Sequence, residues 1–512
     1  MGEKNAARGS GPYVDRRAFL RTIGLGSAAT LLAESHAFAA PAAGGADDRP
    51  NILLIESDDH HPDALGAVNP VVQTPNLDKL AANGVLFTNH VCQGTACAPS
   101  RTSLLTGAYP HNNGVYTNWC KAIDERHWTL PRALQRSGYT TSLQGKNHFK
   151  LGPDYKGKDC NDPHLLSGWK AFGFDHVHAV GGKVAAGRAW KEGPYRDYLR
   201  EKGALSTLEN YFQKTRSGSD GRRIRPWEKL QPLQLDVADY HDSYIGRTTT
   251  EWLRSYRREE PFFAWVQFVA PHSPMDVPEP YFSMHDPADV PLPVGGVDPG
   301  DPWTEEQIRR VRASYYGMVS LMDHWVGQMV EALARTERLA NTVIIFCGDQ
   351  GSMLGDHHSW GKSTFYRGGI NSPLVVHWPK KFRQGVVIDQ PVEMLDLSPT
   401  ILELAGAGRK EMRRSHGATL IPLLTGNGIY GRDAAFAEQR WEKMIVTDRY
   451  KYIYDARKPD KPILYDLQAD PKELRNIAGQ RPDVERELHA RLLEWLAGTY
   501  RHANSAPPTR GR

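Results

Sequence analysis

Five short strand-like runs, most of them almost wholly apolar, constrain the fold of this chain more than any other feature of its sequence. They are residues 51–55, 138–143, 262–269, 342–347 and 373–377. Runs of this length and composition are typical of strands that are buried on both faces of a sheet. Because helical patterns alternate with them, the sequence predicts an α/β fold with a large, mixed, mostly parallel sheet and helices on both of its faces.

The predicted helices have recognisable ends. Thr74 is a candidate N-cap for the first of them, and Thr304 with Gln307 forms a candidate capping box at the start of the last. The apolar stripe along the last helix is interpreted as core packing. The four predicted helices span residues 74–83, 128–137, 244–257 and 304–334.

The N-terminal residues have the pattern of an export signal. Arg16 and Arg17 precede a weakly apolar run at 22–33, and small residues follow around position 39. The run is too short and too mild for a stable membrane anchor, and the whole pattern is typical of a cleaved signal peptide. The paired arginines indicate export by a twin-arginine translocon to a periplasmic or extracellular location. The alternative is a disordered basic tail.

The sequence predicts one large domain followed by a smaller one. Beyond residue 413, strand-like pieces at 444–447, 450–454 and 463–466 precede an amphipathic helix at 483–497. This order indicates a small C-terminal α+β subdomain with an antiparallel sheet. The predicted segments are a signal peptide (1–39), a linker (40–50), a catalytic domain (51–412), the C-terminal subdomain (413–500) and a disordered tail (501–512).

Acidic residues follow two of the apolar runs. Asp58 and Asp59 come after the first run, and Asp349 and Gln350 come after the fourth. The carboxyl ends of parallel strands border the ligand crevice of an open α/β sheet. Three carboxylates and an amide oxygen at one edge need a cation between them, and oxygen ligands favour Ca²⁺, with Mg²⁺ as the alternative. An Asp-Asp pair taken alone is more often a turn or a helix cap.

Cationic side chains follow two of the other three runs. Lys146 and His148 come after residues 138–143, and His272 comes after residues 262–269. We expect them at the same edge of the sheet as the carboxylates. The whole chain carries 63 basic and 59 acidic residues, a net charge of +4. No polybasic face indicates binding to nucleic acid.

Cys97 stands at the start of a short predicted helix that ends at Gly107. The free N–H groups of a helix N-terminus attract oxyanions. Cys97 has three interpretations: a buried structural residue, a thiolate nucleophile whose pKa the helix and Arg101 lower, or the precursor of an oxidised, oxygen-bearing residue. The third suits a hard, oxygen-bound cation best. Arg101 follows at four residues, so the Cys-x5-Arg loop of thiolate phosphatases is absent.

Residues 97–107, CAPSRTSLLTG, match the pattern C-x-P-S-R-x-x-L-L-T-G throughout. On this string the chain resembles the formylglycine-dependent sulfatases of the alkaline-phosphatase-like superfamily. The segments 138–141 (GYTT), 145–148 (GKNH), 464–467 (LYDL) and 470–471 (DP) fit the same family. The resemblance extends over nearly the whole predicted mature chain.

The resemblance implies a modified cysteine and a metal ion. A formylglycine-generating enzyme would oxidise Cys97 to formylglycine, and the metal would be held by this residue with Asp58, Asp59, Asp349 and Gln350. One hydroxyl of the hydrated aldehyde would attack the sulfur of a sulfate ester, and the substrate would be a sulfated small molecule or glycan.

The resemblance also implies roles for the cationic residues. His272 and Lys362 would contact the sulfate, and one of them would protonate the departing alcohol. His148 would help to remove the proton from the second hydroxyl, so that sulfate leaves and the aldehyde returns. Arg101 and Lys146 would neutralise negative charge on the formylglycine oxygens and the sulfate.

Two positions depart from the family pattern. Gln350 stands where Asn or His is more usual, and Arg367 follows Tyr366 where the family often has Glu. An arginine at the rim would suit an anionic glycan, although a plain surface arginine is the simpler interpretation. His357, in a Gly-Asp-His segment that relatives share, is a further candidate for the pocket wall.

The function implied is hydrolysis of sulfate esters, with sulfated carbohydrates preferred as substrates. The alternatives on the same fold are an aryl sulfatase and a phosphonate or phosphodiester hydrolase, because tetrahedral oxyanions of sulfur and phosphorus make similar demands on a site. A glycan-binding protein without catalysis is disfavoured, since the nucleophile precursor, the metal carboxylates and the cationic residues are all present.

Overall fold

The computed structural model describes residues 49–118, 123, 127–146, 148, 168–183, 193–214, 230–298 and 303–500. The predicted signal peptide, nearly all of the predicted linker and the predicted tail lie outside these residues. Among the helices described, none has both the length and the apolar character that crossing a bilayer requires.

Strands and helices alternate through most of the described chain. Strands β1 to β13 span Asn51–Ser57, Val85–Val91, Thr140–Lys146, His176–Val180, Phe262–Gln267, Thr342–Gly348, Asn371–His377, Val386–Ile388, Val392–Glu393, Ala434–Glu438, Glu442–Thr447, Tyr450–Asp455 and Ile463–Asp466. Helices α1 to α13 span Pro75–Ala82, Cys97–Thr106, Pro110–Asn113, Leu130–Arg136, Pro194–Glu201, Leu205–Lys214, His241–Ser255, Glu305–Arg335, Arg367–Ile370, Leu397–Leu404, Arg409–Met412, Ile421–Thr425 and Pro482–Thr499.

Within the described residues, nine strands form one large sheet. Its order is β4-β3-β5-β1-β6-β7-β2-β8, and β9 pairs with β2. Strand β1 lies at the centre and runs parallel to both neighbours, β5 and β6. Strand β7 is antiparallel to β6 and β2. The predicted mixed, mostly parallel α/β sheet is therefore confirmed.

The two faces of the sheet build two separate cores because side chains alternate along each strand. Leu53 and Ile55 belong to the core that contains α7 and α8. Ile52 and Leu54 belong to the core on the other face, which contains α2, α4 and α10. All four side chains are fully buried, and each stabilises the fold by about 1.5–3 kcal/mol.

Of the two helix caps predicted from the sequence, the structure confirms the one at Thr304 and differs in the bonding of the one at Thr74. The capping box of α8 is confirmed: Thr304 Oγ1 accepts from Gln307 N–H at 3.2 Å, and Gln307 Oε1 accepts from Thr304 N–H at 2.8 Å. Thr74 occupies the N-cap position of α1, but its side chain makes no capping hydrogen bond. Its hydroxyl donates to Asp78 Oδ1 instead and accepts from Gly66 N–H.

The C-terminal residues form a second, antiparallel sheet in the order β10-β11-β12-β13. Tyr452 and Leu464 on one face pack against Leu488 of α13. The other face joins a core that includes Phe365 and Ile370. The predicted α+β architecture with an antiparallel sheet is therefore confirmed. The core that contains Phe365 and Ile370 supports the segment that connects Lys362 to α9.

Candidate active site

The central strands bring the predicted carboxylates together. Ser57 at the end of β1 pairs in register with Gly348 at the end of β6, so the acidic residues that follow them are neighbours. Asp349 N–H donates to Ser57 O at 2.9 Å, and Asp59 N–H donates to Asp349 Oδ1 at 3.0 Å. Asp59 has a left-handed backbone, with φ of 60°, and Tyr315 donates a hydrogen bond to its carbonyl. This network fixes an uncommon conformation at the sheet edge.

Helix α2 places Cys97 against this acidic edge. Cys97 is the first residue of the helix, which ends at Gly107 with φ of 60°. Its Sγ lies 3.2 Å from Asp58 Oδ1 and 3.8 Å from Asp59 Oδ1. Arg101, one turn further along, donates from Nε to Asp349 Oδ2 at 2.8 Å. The predicted cysteine and the predicted carboxylates therefore share one buried site.

The donors of this site fit a hard divalent cation. One ligand atom from each of Asp58, Asp59, Cys97 and Asp349 lies within 4.8 Å of all the others, and all four residues are buried. Gln350 borders the group through Nε2, which donates to Asp59 Oδ1, and its buried Oε1 has no hydrogen-bond partner among the described residues. Buried carboxylates in such a group need positive charge between them, and oxygen donors select ions such as Ca²⁺ or Mg²⁺.

The thiol of Cys97 is the member of the site that fits such an ion least. Burial, together with the nearby carboxylates of Asp349 and Asp59, raises the pKa of the Cys97 thiol to about 12 although Lys362 opposes the shift. In the metal-free site the thiol is therefore held in its protonated form. Sulfur is also a soft ligand, so an oxygen-bearing derivative at this position agrees better with the other donors and with a hard cation than a thiolate does.

Two lysines face the acidic cluster from different elements. Lys146, the last residue of β3, forms an ion pair with Asp58. Lys362 forms an ion pair with Asp59, and its Nζ lies 2.8 Å from Cys97 Sγ. Burial lowers the pKa of Lys146 to about 7. For Lys362 burial has the same tendency, but the Asp59 carboxylate outweighs it and raises the pKa.

His272 approaches the cluster from the turn that follows β5. Its Nε2 lies 3.7 Å from Asp59 Oδ2, and its Nδ1 lies 2.6 Å from the carbonyl oxygen of Ser273. Asp58 N–H donates to Ala270 O at 3.0 Å, which joins this turn to the end of β1. Burial, with Lys146 as the next cause, lowers the pKa of His272 well below its usual value.

Three further predicted site residues are His148, Arg367 and His357. His148 follows Lys146 by two residues at the end of β3. Arg367 Nη1 pairs with Asp63 Oδ1 at 2.8 Å. The ring of His357 stacks on Tyr366, with centroids 3.8 Å apart. The roles of these residues in binding or catalysis stay predictions.

Glu56 is a site residue that sequence reasoning missed. It is fully buried in β1, where Oε1 lies 3.6 Å from Arg101 Nη1 and Oε2 accepts from Trp265 Nε1 at 2.7 Å. Burial raises the pKa of Glu56 to about 7. The signal was visible, because a carboxylate inside an otherwise apolar central strand has to meet a cation or lose its charge.

Comparison with known families agrees with this arrangement. The sulfatase family profile matches residues 50–407. A second profile, described as N-sulphoglucosamine sulphohydrolase, C-terminal, matches residues 355–497.

The chain belongs to the sulfatase family.

Individual sulfatase relatives match over most of their length. A choline-sulfatase of Rhizobium meliloti is 29% identical over 84% of this chain and 82% of its own. An N-acetylglucosamine-6-O-sulfatase of Bacteroides thetaiotaomicron is 26% identical over 90% of this chain and 88% of its own. The crystal structure of a phosphonate monoester hydrolase of Agrobacterium radiobacter has a TM-score of 0.72 and 28% identity, covering 88% of this chain and 96% of its own. Family membership makes the protein a sulfuric ester hydrolase by class.

Proposed function

We propose that this sulfatase hydrolyses sulfate esters of carbohydrates through a formylglycine at position 97 and a bound divalent metal ion, Ca²⁺. The observation that carries the proposal is the buried group of Asp58, Asp59, Cys97 and Asp349, whose ligand atoms all lie within 4.8 Å of one another. An acidic group of this density agrees with a metal centre, and the sequence from 97 to 107 agrees with the signature of modified cysteines.

The ion would be held by the three carboxylates, by Gln350 Oε1 and by an oxygen of the modified residue. Gln350 Nε2 donates to Asp59 Oδ1 in the metal-free site, and its buried Oε1 has no hydrogen-bond partner in the described chain. Turning the amide over would bring Oε1 to the ion. When bound, a divalent ion supplies Lewis acidity toward an oxygen of the ester. The aldehyde hydrate supplies an oxygen nucleophile at the position that Cys97 Sγ marks.

The lysines are proposed to bind the sulfate group. Lys362 Nζ lies 2.8 Å from Cys97 Sγ, and Lys146 pairs with Asp58 from the end of β3. Both ammonium groups therefore border the position where the ester must lie. Arg101 has a different role, because its Nε bonds Asp349 and its guanidinium is fully buried. It compensates the charge of the acidic group and orients Asp349.

His272 is proposed to protonate the departing alcohol. Its Nδ1–H donates to Ser273 O at 2.6 Å, so its Nε2 is the nitrogen that faces Asp59 and the substrate position. The low pKa of His272 in the ester-free site leaves Nε2 without a proton near neutral pH. The negative charge of the bound ester would have to raise this pKa, and the protonated ring would then deliver the Nε2 proton to the leaving oxygen. His148 would take the proton of the second hydroxyl of residue 97, so that the bond between its carbon and the sulfate oxygen breaks, sulfate leaves and the aldehyde returns. Addition of water to the aldehyde would then restore the hydrate for the next turnover.

A sulfated carbohydrate is the proposed substrate because one relative is named as an N-acetylglucosamine-6-O-sulfatase. Arg367 and His357 are proposed to border the site and to contact the glycan. Both residues come after Asp349 in the sequence, on the segment that also carries Lys362. A partly exposed arginine there would attract additional sulfate or carboxylate groups of the substrate.

Modification of Cys97 is proposed to precede export of the protein. The paired Arg16 and Arg17 support a twin-arginine signal, and the twin-arginine translocon moves folded proteins. A formylglycine-generating enzyme would then have to act on Cys97 in the cytoplasm, before the site closes and before transport. The mature enzyme would act in the periplasm or outside the cell.

A second candidate function is hydrolysis of phosphonate monoesters. It is favoured by the phosphonate monoester hydrolase of Agrobacterium radiobacter, which shares 28% identity and a TM-score of 0.72 with this chain. Phosphonate monoesters and sulfate monoesters both present a singly charged tetrahedral group. The same lysines and metal would therefore accept either.

Turnover by the modified protein with Ca²⁺ separates these functions. We expect kcat/KM to be higher for 4-nitrophenyl sulfate and N-acetylglucosamine 6-sulfate than for 4-nitrophenyl phenylphosphonate, with Cys97→Ala as the blank. A preference for the phosphonate would favour the second candidate. Failure of the modified protein to hydrolyse any sulfate ester would contradict the proposed function.

A further inference from the structure

A buried lysine that sequence reasoning did not single out lies beneath the His272 turn. Lys183 follows β4 by three residues and is 4% exposed. Its Nζ lies 3.0 Å from His272 O, 2.9 Å from Pro274 O and 2.7 Å from Asp276 Oδ1. The same ammonium group therefore binds the backbone on both sides of Ser273.

These contacts use the full donor capacity of the ammonium group. A lysine has three N–H donors, and Lys183 has three oxygen acceptors within 3.0 Å. Asp276 is held in turn by Tyr240, whose hydroxyl donates to the same Oδ1 at 2.7 Å. Lys183 has no donor left for a substrate, so its role differs from that of Lys146 and Lys362.

The turn that carries His272 is thus fixed at both ends. At its start, Asp242 Oδ1 accepts from Val269 N–H and Ala270 N–H, each at 2.8 Å. At its end, Lys183 binds the carbonyl groups of residues 272 and 274. The ring is held separately by its Nδ1 contact with Ser273 O. Together these bonds fix where His272 Nε2 lies relative to Asp59.

We propose that Lys183 is a positioning residue, which holds the His272 turn so that Nε2 meets the leaving-group oxygen of the ester. The inference rests on the proposed function, because it needs His272 to protonate the departing alcohol. Proton donation matters most for poor leaving groups, since an acidic alcohol departs readily without a proton. Loss of Lys183 should therefore lower the rate of hydrolysis most for esters with poor leaving groups.

The test compares Lys183→Met with wild type on sulfate esters whose leaving groups range from 4-nitrophenol to a sugar alcohol. Correct placement of a general acid contributes about 10²–10⁴-fold. We expect kcat for the sugar ester to fall at least about tenfold and kcat for 4-nitrophenyl sulfate to fall less than about threefold, with KM little changed. In the His272→Ala background, Lys183→Met should cause no further selective loss.

Two further variants separate positioning from a general loss of stability. Lys183→Arg keeps a cation that can reach the same carbonyl groups and should recover part of the lost rate on the sugar ester. Lys443→Met is the matched control, because Lys443 also binds a carboxylate, Glu438 at 2.7 Å, and a carbonyl, Gln439 O at 3.1 Å. We expect it to keep the leaving-group dependence of wild type.

A crystal structure of Lys183→Met adds a readout that does not depend on turnover, and it should show His272 displaced or in several conformations. If Lys183→Met does not fold, Asp276→Asn and Lys183→Arg are compared with wild type in the same way. Equal slowing of all esters, or an unmoved His272 ring, would overturn the positioning role. Absence of wild-type turnover on every sulfate ester would instead refute the proposed function itself.

Discussion

Arg101 Nε lies 2.8 Å from Asp349 Oδ2, and both side chains are completely buried. This contact joins the helix that begins with Cys97 to the end of the central strand β6. The guanidinium also lies near Glu56 and Asp58, at 3.6 and 3.9 Å. One cation therefore serves three acidic groups, two of which are proposed metal ligands.

Replacing Arg101 should lower stability strongly. Arg101→Met leaves Asp349 and Glu56 buried without their cation, and removal of one partner from a buried ion pair costs about 3–5 kcal/mol. Urea unfolding of the metal-free protein measures the change. Arg136→Met is the control, since the Arg136 side chain is half exposed in its pair with Glu411 and the pair should be worth about 1 kcal/mol or less. Equal effects of the two substitutions would contradict the buried network.

Binding of Ca²⁺ should raise the melting temperature of the folded protein. Free Ca²⁺ at 100 times its Kd stabilises the native state by about 2.7 kcal/mol, and a chelator should reverse this together with activity. Asp59→Asn should weaken the thermal shift. Asp63→Asn should preserve it, because Asp63 pairs with Arg367 outside the acidic group. A wild-type melting temperature that does not respond to Ca²⁺ or Mg²⁺ would argue against a metal centre.

Arg367 should affect the binding of polyanionic substrates more than that of simple ones. A charged hydrogen bond lost from the rim is worth about 1.5 kcal/mol, which corresponds to roughly a tenfold increase in KM for a multiply sulfated glycan. The KM for 4-nitrophenyl sulfate should stay close to wild type in Arg367→Met. If both constants rise together, the residue acts through its contact with Asp63 on the fold of the segment.

Glu393 should make stability fall as the pH rises. Burial raises the pKa of this carboxyl to about 7, with Asp396 acting in the same direction and Arg432 opposing it. The native state therefore binds a proton more tightly than the unfolded chain. Its stabilising contribution is complete below pH 4.5 and is lost as the pH rises through about 7.

Unfolding in urea between pH 5 and 8 measures this effect. The free-energy difference between wild type and Glu393→Gln should decline by about 1–3 kcal/mol over the range, since each unit of pKa shift is worth about 1.4 kcal/mol. Tyr109 donates to Oε2 at 2.6 Å and Phe436 N–H donates to Oε1 at 2.8 Å, so the single amide oxygen of Glu393→Gln keeps only one of these bonds. That loss is the same at every pH and does not affect the slope. A difference independent of pH would show that Glu393 does not titrate there.

Sequence patterns predicted the elements that are buried most completely. Strands β1, β5 and β6 are apolar along nearly their whole length because both faces contact helices. Their ends carry Asp58 and Asp349, so the position of the acidic group followed from the topology. Strand β10 was not predicted, since the five residues Ala434–Glu438 include three alanines and little β-branched or strongly apolar character.

The parts of the site that escaped prediction depend on contacts between distant segments. Lys183 is separated from His272 by 89 residues, and a single lysine after a short strand carries no periodic signal. The bond from Ser363 N–H to Thr95 O, at 3.2 Å, holds the Lys362 segment beside Cys97 in a similar way. Such contacts depend on the order of the strands in the sheet. The local pattern of apolar and polar residues does not predict the order of parallel strands.

The chemical state of residue 97 tests the proposed site most directly. Protein produced with a formylglycine-generating enzyme is digested, and the peptide that contains residues 97–107 is analysed by mass spectrometry and by reaction with a hydrazide probe. We predict an aldehyde at position 97 that reacts with the probe, and sulfate-ester turnover that increases with the fraction of modified peptide. Full turnover by protein whose Cys97 remains a free thiol would contradict the proposed mechanism.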